Sequence, residues 1–204
     1  MKIILSLITI ILITSCSPIM GIYGIRKPKV INEKTIQRFT NKLHIPPEDG
    51  FELDTNYLTF LRSLDTAIYK EQIKNHLQPL QALYYQKSGQ LESFQINCYA
   101  GGFPNLNWDR NNILSTFPPK LQAPLDSIVS LKKQLKFLQP TSFPKEINVP
   151  EYDYLVFVYW SKFMGRQNKR FIRFIQQNAQ LSEFDKVKII YINTDNFYAN
   201  SSLW

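Results

Sequence analysis

The hydrophobic positions of this chain change period several times, and each change marks an element. Ile36, Phe39 and Leu43 recur at helical spacing and predict a helix over 32–43. His44-Ile45-Pro46-Pro47-Glu48-Asp49-Gly50 then interrupts the pattern with paired prolines and a glycine, the punctuation of a turn. Two more helices are predicted over 55–64 and 66–76, the second ending before Pro79. Residues 81–86 and 91–99 are rich in strand formers, and Lys87-Ser88-Gly89-Gln90 between them is short enough to close a hairpin. Phe94, Ile96 and Cys98 alternate onto one face of the second strand, which makes Cys98 a core residue on this reading.

From Gly101 to Pro124 prolines, asparagines and aromatics follow one another without periodicity. A loop of that length is functional or disordered, and its aromatics, Trp108 among them, argue against disorder. A helix is expected over 125–138. The clearest unit comes last: the near-continuous apolar run Tyr154 to Tyr159, a helical pattern over 165–179 through Phe171, Ile172 and Ile175, and a second apolar run over 187–192. Strand, helix and strand with short links predict a parallel pair with a right-handed crossover, and therefore an α/β sheet.

The start of the chain follows a different rule. Lys2 precedes the apolar stretch Ile3 to Ile13, and Thr14 and Ser15 then lead to Cys16. This is the order of a signal peptide, and the stretch is too short for the roughly 20 helical residues of a permanent span. Removing residues 1–15 leaves 189 of the 204 residues, a length suited to one domain over 31–204 behind a tether over 16–30. Lys2 goes with the leader, so 23 basic residues face 16 acidic ones. That surplus suits anionic headgroups, an anionic ligand or an envelope protein partner; nucleic acid is the poorest candidate in a secreted compartment. Two cysteines and two histidines without ligand spacing exclude a disulfide framework and give no basis for a metal or other cofactor.

Ile13-Thr14-Ser15-Cys16 resembles the lipobox of bacterial lipoproteins, which implies cleavage before Cys16, thioether lipidation there and a membrane anchor of two or three acyl chains. An ordinary secretory signal cut nearby is the alternative. The absence of an acid in Ser17-Pro18-Ile19-Met20 implies, by the same resemblance, an outer-membrane location facing the periplasm.

The segment Leu155 to Lys169 resembles the active-site region of thioredoxin-like proteins, where a buried strand runs into a tryptophan-bearing turn, here Trp160, and then CGPC. The resemblance puts the nucleophilic cysteine on Met164, the glycine on Gly165, the proline on Arg166 and the resolving cysteine on Gln167. Neither a thioether nor an amide supports thiol–disulfide exchange, so redox inactivity is expected. Lys186 to Asp195 similarly resembles the family's next strand and its acidic end. Pro79 and the hairpin after it look like the family's cis-proline and terminal hairpin moved upstream, a circularly permuted three-layer thioredoxin-like sheet; an unrelated hairpin packed on a βαβ unit is the competing view.

Arg166, Lys169, Arg170 and Arg173, with Lys162 just before them, fall at helical spacing and make a basic face at a helix start. Either they are solvated or they accompany an anion bound at the helix N-terminus. Trp108 either lines a partner-binding loop or packs within its own loop. Two function classes follow: a redox-inactive binding or adaptor lipoprotein, and an oxidoreductase working through the single remaining thiol of Cys98.

Overall fold

The computed structural model describes residues 17–141, 146–201 and 203. The leader and Cys16 lie outside the described residues. In chain order the elements are α1 (Ser17–Ile22), α2 (Glu33–Lys42), β1 (Gly50–Leu53), α3 (Asn56–Arg62), α4 (Thr66–His76), β2 (Gln81–Gln86), β3 (Leu91–Ile96), α5 (Asn97–Ala100), α6 (Leu131–Lys136), β4 (Leu138–Pro140), β5 (Tyr154–Trp160), α7 (Gly165–Ala179), β6 (Val187–Asn193) and α8 (Asp195–Ala199).

The described strands form one sheet in the order β3-β2-β5-β6-β1-β4. β5, β6 and β1 run parallel, while β2 lies antiparallel to β5 with Gln81 opposite Tyr159. Every residue of β5 is buried, which is why its sequence is apolar on both faces. Alternation along β5 then assigns the layers. On one face Tyr159 lies 6.4 Å from Tyr57 of α3 and donates to Gln134 of α6. On the other, Tyr154 meets Phe117 at 5.1 Å, and in the adjoining β6 Tyr191 accepts from Gln176 of α7 at 3.2 Å. Helices therefore cover both faces of the sheet.

Several expectations need correction. The helix expected over 125–138 forms only from Leu131, after an N-cap at Ser130. Ahead of it the Asp126 carboxylate meets the buried His76 ring at 3.0 Å and accepts from the Ile128 amide, which holds 125–130 out of a helix. The second hairpin strand stops at Ile96, because the chain turns into α5 at Asn97. Cys98 thereby leaves the alternation and is exposed instead of buried in the core. Trp108 is 2% exposed, its ring tilted against Phe171 of α7 with the centroids 4.2 Å apart, so it anchors its loop and offers no surface to a partner.

The expected free tether is docked as well. Ile25 is buried, and Ile31 exchanges two backbone hydrogen bonds with the Asn196 side chain in α8. Residues 20–31 form a strap across the domain.

Candidate functional site

The site expected from the thioredoxin resemblance lies where β5 gives way to α7. Strand geometry ends at Trp160, Ser161 remains extended, and Lys162–Met164 make a single 3-10 turn before Gly165 opens the helix at φ 55°. A positive φ costs any residue with a Cβ, so glycine is required there.

Asp195, at the start of α8, holds this turn from the neighbouring strand. Its carboxylate accepts from the backbone N–H of Lys162 at 2.7 Å, from that of Phe163 at 3.2 Å, and from the Asn193 side chain at 2.8 Å. The Ser161 and Thr194 hydroxyls bond to each other, and the Thr194 N–H donates to the Trp160 carbonyl at 2.9 Å. Pro79 is buried two residues ahead of β2, and its carbonyl accepts from the Ser161 hydroxyl at 3.4 Å. The hairpin's foot thus touches Ser161, the residue before the turn. The described cis bonds are Phe103–Pro104 and Phe117–Pro118; the bond before Pro79 is trans, unlike the family pattern.

Burial raises the Asp195 pKa above its ordinary 3.8, and the N–H donors of Lys162, Asn193 and Phe163 only partly offset it. The folded state keeps this proton to a higher pH than the unfolded chain does. Stability therefore falls as pH rises from 3.8 through the raised value, and the loss is complete above it. Urea unfolding across that window is expected to show the decline in the wild type and a flatter profile in Asp195→Asn; parallel profiles would remove Asp195 as the cause.

Met164 and Gln167, where the expected resemblance puts two cysteines, are 1% and 0% exposed. Gln167 accepts from Arg170 at 3.4 Å through its oxygen, while its side-chain nitrogen has no partner among the described residues. Trp160 is buried too, with its indole nitrogen unpartnered among the described residues, and it lines a cavity of about 190 Å³ shared with Phe51 and Ile36. The strap closes over the turn: Arg26 N–H donates to the Phe163 carbonyl at 2.9 Å, and Arg166 N–H donates to the Tyr23 carbonyl at 3.0 Å. The second bond uses one of the helix-terminal donors an anion would need, so the expected anion position at the N-terminus of α7 is covered by backbone.

The basic face behaves differently along its length. Arg166, Lys169 and Arg173 are exposed, whereas Arg170 is half-buried and bonds Asn105 and Gln167. Lys162 sits over the Phe39 ring at 5.4 Å, a cation–π contact with α2. Cys98 is accessible, but partial burial of its sulfur raises the thiol pKa, with Lys74 opposing only in part. A raised pKa lowers the thiolate fraction, which is the opposite of an activated nucleophile.

Sequence reasoning missed the strap and the clamp made by Asp195 at the turn. The strap's only signal was the pair of glycines, Gly24 and Gly165, far apart in sequence. Among the described residues no helix is long and apolar enough to cross a membrane. Compared with family models, with curated proteins and with solved structures, the chain matches none.

Proposed function

We propose that the protein is a lipid-anchored envelope module of thioredoxin-like build that binds a partner and performs no thiol redox chemistry. The observation that carries this reading is the pair Met164 and Gln167: they flank the first turn of the helix that follows the central strand, where the resemblance puts two cysteines, and both are buried. Support for the build comes from the sheet. A hairpin lies antiparallel beside β5, with β6 parallel on the other side, and Pro79 stands at the hairpin's foot against Ser161.

The rearrangement is internal, not end to end, because β1 precedes the hairpin in sequence and pairs with β6. A strict circular permutation is therefore dropped in favour of a hairpin relocated between β1 and β5. The anchor is Cys16, the expected location the periplasmic side of the outer membrane. With Trp108 buried, the same stretch of chain still offers an envelope protein the exposed apolar residues Tyr99, Phe103, Leu121 and Leu125.

A disulfide-reduction assay on the soluble part tests the chemistry. The wild type is expected to give no turnover above background. Turnover lost in Cys98→Ser would establish the single-thiol oxidoreductase instead, and turnover that survives Cys98→Ser would defeat both readings.

A further inference from the structure

We propose that the strap and the exposed flank of α7 form the surface by which this protein lies on an anionic bilayer, with the Met164–Gln167 turn sealed beneath it. The proposal rests on the lipoprotein reading for the position of the anchor.

Charge bookkeeping over the whole sequence points to this surface. Residues 17–32 contain three cations, Arg26, Lys27 and Lys29, and α7 contains four; neither segment contains an acid. The rest of the mature chain holds 16 basic and 16 acidic residues, so the entire net charge of +7 resides in two segments that touch each other. The strap cations are exposed, as are Arg166, Lys169 and Arg173.

Folding alone does not account for this arrangement. Cations in the first turn of a helix oppose its dipole, and like charges three or four residues apart repel one another. An anionic surface reverses both penalties at once. Apolar side chains accompany the charge: Ile22 and Val30, at the two ends of the strap's docked stretch, are each 65% exposed. Val30 adjoins Lys29, and Ile22 lies four residues before Arg26; exposed aliphatics interspersed with cations suit a segment that rests in the headgroup layer.

Reach fixes which side of the molecule meets the membrane. Between Cys16 and Gly24 the chain includes the helix Ser17–Ile22, so it spans no more than about 20 Å. A domain of this size is about 40 Å across. Gly24 is pinned against Gly165, whose Cα lies 3.4 Å from a Cβ built on Gly24. Lipid on Cys16 therefore holds the Gly165 end of the domain at the bilayer, and the hairpin tip at Ser88, beside the opposite end of β5, points away.

Lysine acetylation read by mass spectrometry tests this on the mature chain, in a Cys98→Ser background, coupled through Cys16 to a maleimide-bearing lipid. The vesicles are phosphatidylcholine alone or phosphatidylcholine with phosphatidylglycerol. Lys27, Lys29 and Lys169 are expected to react about fivefold more slowly on the anionic vesicles, while Lys87 and Lys186, at the far end of the sheet, keep their rates. Lys29→Glu with Arg166→Glu and Arg173→Glu, all exposed positions, is expected to restore the reactivity of Lys27 and Lys169 while the protein stays coupled. Equal rates on the two vesicle types, or protection spread evenly over all five lysines, would overturn the proposal. Because the coupling is chemical, the footprint is independent of whether the cell lipidates Cys16.

Discussion

Gly165→Val is expected to release the strap while leaving the sheet folded. A Cβ at this position falls inside contact distance of the Gly24 carbonyl carbon and oxygen and 2.6 Å from the Tyr23 oxygen. All three are backbone atoms, which cannot swing aside as a side-chain tip can. The φ of 55° adds strain for a β-branched residue, and together the clash and the strain amount to roughly 3 kcal/mol. At this end the strap is held by two backbone hydrogen bonds and the burial of Ile25, worth about the same. The strap yields because detaching it spares the core. Hydrogen exchange should show the Arg26 and Arg166 amides losing protection while the β5 amides retain theirs. Gly21→Val, where a Cβ meets nothing within 4 Å, serves as the control and should change neither. Protection at Arg26 and Arg166 that survives Gly165→Val would show that the strap is not seated on that glycine.

Cys16→Ala is expected to move the protein from the membrane fraction to the soluble fraction at high salt. Two or three acyl chains contribute about 0.8 kcal/mol per buried methylene, far beyond what Ile22 and Val30 could add at an interface. The cations of the strap and α7 attract anionic headgroups, but that attraction is screened within about 10 Å at 0.1 M salt and weakens further above it. The variant should sediment partly with membranes at low salt and not at high salt. Sedimentation unchanged at high salt would mean that something other than Cys16 anchors the chain.

Periodicity in the sequence located the elements that carry their own pattern. The helix expected over 165–179 and the strand over 81–86 have those bounds, because α7 packs one apolar stripe and β2 is buried along almost all its length. β1 and β4 went unread: four residues and three residues are too few to show alternation, and each is a strand only because the chain beside it offers partners. Cys98 was misplaced by extending a period of two past the point where the backbone turns helical. Packing of Trp108 was one of two open readings, but its partner was not legible, since Phe171 lies 63 residues away in sequence. The turn itself was legible from Trp160 to Gln167 as a residue pattern. Its cover was not, because the strap is held by carbonyl oxygens and glycines, which leave no hydrophobic period.

The most direct measurement of the central claim is thiol reactivity in Met164→Cys with Gln167→Cys, carried in Cys98→Ser and compared with the same protein lacking residues 17–26. If the turn has thioredoxin-like geometry, the two introduced cysteines close an intramolecular disulfide under mild oxidation. After reduction, the thiol at position 164 should alkylate slowly beneath the strap, because the side chain there is 1% exposed, and faster at neutral pH than Cys98 of the wild type once the strap is removed. The N-terminus of α7 and the cations Lys162, Arg166 and Lys169 are expected to lower its pKa. Two cysteines that stay unpaired, and that alkylate no faster than Cys98 with or without the strap, would contradict the account.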